Sequence, residues 1–126
     1  MKIKTDFTTN SSSASFVIAI KKGATAKEIA SCFDNEDFFS FIKENEEWLY
    51  DIKDSLGTEA SLEAKVVFAK RKIVGDLLND VKNGLEIGDW KISALEGGNE
   101  DGDITGSYLY SSNNIDTEFL KIKGFN

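Results

Sequence analysis

The side chains that most often perform acid/base, nucleophilic or metal chemistry are scarce in this chain. It contains no histidine and a single cysteine, Cys32. Imidazole titrates near neutral pH and its neutral ring binds metals, so most general bases, catalytic pairs and zinc sites depend on it. Cys32 follows Ile29 at helical spacing, which favours a small core residue over a nucleophile. The sequence therefore predicts a protein that is not an enzyme and that has no cofactor.

Carboxylates are the remaining candidates for chemistry, and one group of them lies in a glycine-rich stretch. Asp101, Asp103 and Thr105 follow the spacing of the first half of a calcium loop. The twelfth position of that loop is Ser112, where a bidentate glutamate is required. We therefore predict no dedicated metal site here and, at most, weak or adventitious cation binding. We interpret the stretch as a solvated hairpin tip. Glu100, Asp101 and Asp103 remain candidates for contact with a partner.

A second group of acids recurs at steps of three and four, as on one face of a helix. The group comprises Glu44, Glu47, Asp51 and Asp54. Like charges at this spacing cost roughly 0.2–0.5 kcal/mol per pair in an isolated helix. Solubility is one explanation for such a face, and an electropositive partner is the other. Trp48 adjoins the stripe and would supply the aromatic anchor that interfaces favour.

A third candidate is the hydroxyl-rich segment before the first long strand. It contains Thr9, Asn10, Ser11, Ser12 and Ser13. With lysines nearby in the sequence, these side chains offer donors for a phosphate or a sugar. Such residues also bond readily to their own backbone, which favours a solvated turn. Neither glycine-rich phosphate-binding motif is present, so nucleotide hydrolysis is not expected.

Residues 6–16 read D-F-T-T-N-S-S-S-A-S-F. This segment resembles the opening D-F-V-T-N-S-S-S-S-S-F of a set of small, uncharacterised bacterial and phage-borne proteins. The sequence departs from that pattern at Thr8 and Ala14. The resemblance implies a prokaryotic or phage source, and it transfers no functional residue.

Length and composition indicate one folded domain that covers residues 1–126. The chain is 40% hydrophobic and contains nine phenylalanines, far from the profile of disordered proteins. Its net charge of −7 disfavours a nucleic-acid partner, because phosphate contacts require a basic surface. The longest unbroken apolar run, residues 16–20, is too short for a membrane span. With one cysteine and no visible export signal, a cytoplasmic location is expected.

The order of the predicted elements is strands, helices, strands. Residues 3–6 and 15–21 read as strands, the second buried on both faces. Thr25 and Glu28 form a capping-box pattern for a first helix. Apolar spacing predicts a second helix over residues 36–56, interrupted by the polar Asn45, and a third helix from a cap at Thr58 or Ser61 to residue 81.

Glycines divide the rest of the chain into shorter pieces. Residues 90–95, 104–110 and 118–123 are predicted to be strands, joined by short connections that favour antiparallel pairing. The predicted class is α+β: a mainly antiparallel sheet of four or five strands, with two or three helices inserted between the N-terminal and C-terminal strands.

The leading prediction of function is a non-catalytic binding protein whose acidic faces engage a basic protein surface, such as a phage-borne or host-encoded inhibitor. The alternative is a small-ligand module that holds an anionic metabolite or nucleotide at the hydroxyl-rich segment. The sequence leaves the oligomeric state open.

Overall fold

The computed structural model describes residues 13–57, 59–98, 103–111 and 114–125. Within these residues the chain forms five helices and five strands. The strands are β1 (Ser13–Lys21), β2 (Leu85–Ile87), β3 (Trp90–Gly98), β4 (Ile115–Asp116) and β5 (Leu120–Phe125). The helices are α1 (Ala26–Ser31), α2 (Glu36–Asn45), α3 (Tyr50–Leu56), α4 (Leu62–Val81) and α5 (Ile104–Ser111). The predicted α+β class is confirmed, with more helices than expected.

The five strands form one antiparallel sheet in the order β2-β3-β1-β5-β4. The first long strand, β1, is therefore central, with Ile18 opposite Ser93 of β3 and Ile122 of β5. Hydrogen-bonded neighbours lie on both sides of β1 and favour its apolar, β-branched run. The prediction that both faces are buried is only partly met, because Val17 is half-buried on the face that carries the exposed Lys121 and Lys123. Phe16, Ile18 and Ile20 alternate along β1 and are buried in the core, as the period of two in a strand requires.

The longest helix, α4, provides the largest helical contribution to the core. Ala69, Ile73 and Leu77 recur at steps of four and are fully buried, which confirms the predicted stripe. The Ser61 hydroxyl accepts a hydrogen bond from the backbone N–H of Ala64 and caps this helix. At α1 the Thr25 and Glu28 side chains form the predicted capping box.

The predicted helix over residues 36–56 is wrong, because the chain breaks into α2 and α3 at residues 46–49. Asn45 ends the first piece. Its side-chain N–H group donates to the Phe41 carbonyl at 2.8 Å, and its side-chain oxygen accepts the Trp48 indole N–H at 2.7 Å. Asparagine competes in this way for nearby polar groups and therefore favours helix ends. Leu49 is fully buried in the intervening turn.

The predicted strand over residues 104–110 is also wrong, since this segment forms helix α5. Asp103 precedes the helix, and its carboxylate accepts the backbone N–H of Gly106 at 3.1 Å. The carboxylate of Asp51 accepts the N–H of Ile104 at 3.3 Å. These two acceptors satisfy N–H groups that the first turn of a helix leaves unpaired.

The strands at the two edges of the sheet, β2 and β4, were not predicted. They contain three and two residues, too few for a periodic pattern. The other predicted strands agree better: residues 90–95 lie within β3, and residues 118–123 overlap β5. The strand predicted at residues 3–6 lies outside the described residues. In the part of the chain that is described, none of the helices has the length and apolar character needed to cross a lipid bilayer.

Candidate functional site: an acidic cleft beside helix α2

A cleft of about 340 Å³ lies between helix α2, the turn that follows it, and helix α5. We call it the acidic cleft. Its lining includes Asp37, Ser40, Phe41, Glu44, Trp48 and Ser107, with Asn45 at the break between α2 and α3. This volume lies at the lower end of the range for ligand pockets, which is roughly 300–1,000 Å³. It suits one side chain or a small cation better than a large ligand.

Two carboxylates give the cleft its charge. Asp37 and Glu44 lie on exposed positions of α2, seven residues apart and therefore on one face of the helix. No hydrogen bond or ion pair joins either carboxylate to another described residue. By contrast, the neighbouring Glu46 is paired with Lys65, at 2.8 Å. The cleft therefore combines two negative charges with no basic residue in its described lining.

Aromatic rings form the apolar part of the wall. Phe41 packs edge-on against Tyr108 of α5, with ring centroids 5.1 Å apart. Behind it, Tyr108 contacts Phe38 and Phe33 in the same edge-on manner, and these two phenylalanines contact each other at a tilt. Such pairs contribute roughly 0.5–1.5 kcal/mol beyond the area that they bury. The wall is therefore a rigid extension of the core.

Trp48 is the second aromatic side chain of the wall, and it is half-buried. Its indole N–H is held by Asn45, whose own amide is anchored on α2. Phe41 and Trp48, the two residues that the Asn45 side chain joins, are only four and three positions away from it in the sequence. The break between α2 and α3 thus determines where the indole lies.

A cleft with two carboxylates and two aromatic rings favours a cation. Ring faces attract ammonium and guanidinium groups, with about 0.5–1 kcal/mol at exposed sites. Carboxylates accept the hydrogen bonds that these groups donate. Both acids are exposed and can reach a cation that enters the cleft from solvent.

The predicted acidic stripe does not form one face, because the single helix predicted to carry it is broken. Glu44 and Trp48 line the acidic cleft, whereas Glu47 is exposed on the turn and Asp54 is exposed on α3. Asp51 accepts the Ile104 N–H and connects α3 to α5.

The predicted acidic hairpin tip is replaced, in its described part, by the start of helix α5. Asp103 accepts the N–H of Gly106 and so caps the helix, rather than projecting from a hairpin. Thr105 is buried and donates its hydroxyl to Asp76 of α4 at 2.6 Å. Glu100 and Asp101 lie outside the described residues.

Asp51 and Asp103 belong to a polar cluster at the junction of α3, α4 and α5. Lys72 Nζ lies 3.0 Å from Asp76 Oδ2. The hydrogen bond from Lys72 to Asp76 raises the lysine pKa above its ordinary value of 10.5, and the charges of Asp51 and Asp103 add to the shift. Partial burial, with repulsion from Asp76, raises the pKa of Asp80 one turn further along α4. The contacts described in this cluster join protein groups, and their effect is to hold three helices together.

The other sequence candidates supply no second site among the described residues. In the hydroxyl-rich segment, Thr9, Asn10, Ser11 and Ser12 lie outside that part of the chain, and Ser13 begins β1 opposite Gly98. Cys32 is half-buried against the core, with its sulfur 3.1 Å from the Thr117 hydroxyl oxygen. No group of three or more acidic or cysteine side chains in the described parts of the chain is placed to hold a metal ion.

The sequence contains a second periodic pattern on the segment around α2, beside the apolar pattern that predicts the core. Asp37, Phe41, Glu44 and Trp48 follow one another at steps of four, three and four. This set lies beside the buried stripe of Phe38 and Ile42. Reading both faces of α2 would have placed the two acids and Phe41 together. Trp48 lies beyond the end of α2, and its position depends on the contact with Asn45. Ser107 gave no such signal, because its place depends on the packing of α5.

Comparison of the chain with protein-family models, curated proteins and solved structures gave no match. The geometry of the acidic cleft is therefore the basis for inferring a function.

Proposed function

We propose that this protein is a non-catalytic binding protein whose acidic cleft receives a basic side chain, arginine above all, from the surface of a partner protein. The observation that carries the proposal is the placement of Asp37 and Glu44 in one cleft with Phe41 and Trp48. Charge attracts the side chain, and the rings contact its flat face or its methylene groups.

Arginine fits this lining better than lysine. Its guanidinium group is planar, stacks on aromatic faces and offers five donors in a fixed fork, which matches the two carboxylates along one face of α2. The two carboxylates have no partner among the described residues, which supports the proposal because no internal cation there must be displaced. The remaining exposed acids nearby, Glu47 and Asp54, would steer a basic surface towards the cleft and raise the association rate.

The wider role that we propose is that of an inhibitor-like partner, phage-borne or host-encoded, acting in the cytoplasm. An inhibitor whose cleft receives a basic side chain needs a rigid cleft wall, and this wall is continuous with the aromatic core. Binding of an anionic ligand at the hydroxyl-rich segment has no comparable support, because that segment lies almost entirely outside the described residues.

The proposal is tested with a fluorescein-labelled nonapeptide that carries three arginines, compared with the same peptide in which citrulline replaces arginine. Citrulline keeps the shape of the side chain and removes its charge. Anisotropy titration should show binding of the arginine peptide and at least tenfold weaker binding of the citrulline peptide. Equal affinities would refute recognition of a cation.

A pair of double variants then locates the site. Asp37→Asn with Glu44→Gln removes both cleft charges, and each exposed ion pair is worth about 0.2–1 kcal/mol, so affinity should fall roughly 2- to 30-fold. Glu47→Gln with Asp54→Asn changes the net charge by the same amount outside the cleft lining. The control pair should have the smaller effect; equal losses would show that only overall charge matters.

A further inference from the structure

A second concave surface, with mainly apolar walls, lies between helices α1 and α4 and measures about 420 Å³. Ala26 and Ala30 of α1 form one side, while Val67, Val74 and Leu78 of α4 form the other. We call it the α1/α4 groove. It shares no described lining residue with the acidic cleft.

Gly75 lies in the groove, in the interior of the 20-residue helix α4. A glycine in a helix interior costs roughly 0.5–1 kcal/mol relative to alanine. A methyl group added at this position would meet no described atom of the protein within 4 Å, so the packing described for the chain does not require the glycine. Close approach of another molecule to the helix would require it.

The rim of the groove is basic on a protein whose net charge is −7. Lys27 and Arg71 are exposed there, and Arg71 is the only arginine in the sequence. No ion pair joins either of them to a described residue. Lys70, also on the rim, is bonded to Asp34. Two cations beside an apolar floor call for a ligand that is apolar in the middle and anionic at its border.

We propose that the α1/α4 groove binds an amphipathic helix of a partner protein, with aliphatic residues facing the groove and aspartate or glutamate opposite Lys27 and Arg71. On α4 the groove wall extends from Val67 to Leu78. These eleven residue steps span about 16.5 Å at 1.5 Å per residue, which matches roughly three turns of a docked helix. Small residues on both sides let the helices approach closely. Val67 is 47% exposed and would be covered by the docked helix.

This mode of recognition places an apolar helix face into a groove, with anchors at steps of three and four. The acidic residues of the partner would set its direction and exclude basic helices. Because the groove and the acidic cleft are separate surfaces, helix binding at the groove stands or fails independently of the proposed function.

The test is a selection on the full chain from a displayed library of 16-residue amphipathic helices. The leucine positions are fixed, and each flanking position is glutamate, lysine or glutamine. Enrichment of glutamate at the flanking positions is expected. A library without enrichment, or one enriched in lysine, would overturn the proposal.

Variants then assign the site with a selected peptide. Arg71→Glu should weaken binding at least tenfold, whereas Lys82→Glu, which makes the same change of charge beyond the groove, should stay within twofold. Gly75→Leu adds a side chain in the groove, at a position where its Cβ meets no described atom within 4 Å. This variant should keep or raise the melting temperature and weaken binding at least tenfold. Unchanged binding by Gly75→Leu would contradict the proposal. So would wild-type self-association, measured by sedimentation, that Gly75→Leu abolishes, because the occupant would then be a second copy of this chain.

Discussion

Replacement of Asn45 by alanine should loosen the turn between α2 and α3 and, with it, the wall of the acidic cleft. The side chain makes two hydrogen bonds, to the Phe41 carbonyl at 2.8 Å and from the Trp48 indole at 2.7 Å. Each contributes about 0.5–1.5 kcal/mol. Alanine returns roughly 0.5 kcal/mol through its better helix propensity. The free energy of unfolding should therefore fall by about 0.5–2.5 kcal/mol.

The assay is urea denaturation followed by far-ultraviolet circular dichroism. It should be carried out on the wild type, Asn45→Ala, Trp48→Phe and the double variant. Trp48→Phe removes the indole N–H and keeps an aromatic ring. If the bond between Asn45 and Trp48 exists, the double variant should cost less than the sum of the single variants, by about 0.5–1.5 kcal/mol. Additive costs would show that Asn45 does not hold the indole in place.

Three further predictions concern stability. The folded state binds the Asp80 proton more tightly than the unfolded state, because the pKa is raised from 3.8; stability is therefore lost as the pH rises from 3.8 through the raised pKa. Asp80→Asn should be more stable than the wild type at pH 7 and lose this advantage below pH 3.8, as denaturation across pH would show. Gly84→Ala should destabilise by about 1–3 kcal/mol in the same assay, because the new methyl carbon would lie 2.4 Å from a backbone carbonyl oxygen of β3. Lys65 is 7% exposed and bonded to Glu46, so Glu46→Ala, which strands a buried ammonium, should cost more than Lys65→Met; the reverse order would refute this reasoning.

Local sequence patterns were sufficient to predict the helices and strands that neighbouring residues alone determine. The apolar run of β1, the capping box of Thr25 and Glu28, and the stripe of α4 each specify one structure through propensity and period. The structure agrees at all three.

The two wrong elements depend on contacts between distant residues or on one side chain. Residues 104–110 were predicted to be a strand because glycines divide this part of the chain into short pieces, yet Asp51 and Asp103 satisfy the first N–H groups of a helix there. The break after α2 depends on the two bonds of Asn45, which a periodic pattern does not reveal.

The same distinction applies to the acidic cleft. Glu44 and Trp48 were predicted as contact residues and do line it. The cleft exists, however, because α5 packs against α2 through Phe41 and Tyr108, and that packing follows from a helix that the sequence did not predict. The residues that α2 contributes to the cleft could be predicted from their spacing. The opposite wall, which α5 forms, could not.

The most direct measurement is a two-dimensional ¹H–¹⁵N NMR titration of the protein with N-acetyl-arginine amide. The chain has two tryptophans, so the indole N–H of Trp48 reports on the acidic cleft and that of Trp90, on β3, serves as an internal control. We predict that the Trp48 signal moves and saturates, that the Trp90 signal stays in place, and that N-acetyl-citrulline amide moves neither. A Trp48 signal that does not respond to the arginine compound, or that responds equally to citrulline, would contradict the cation-binding function proposed for the cleft.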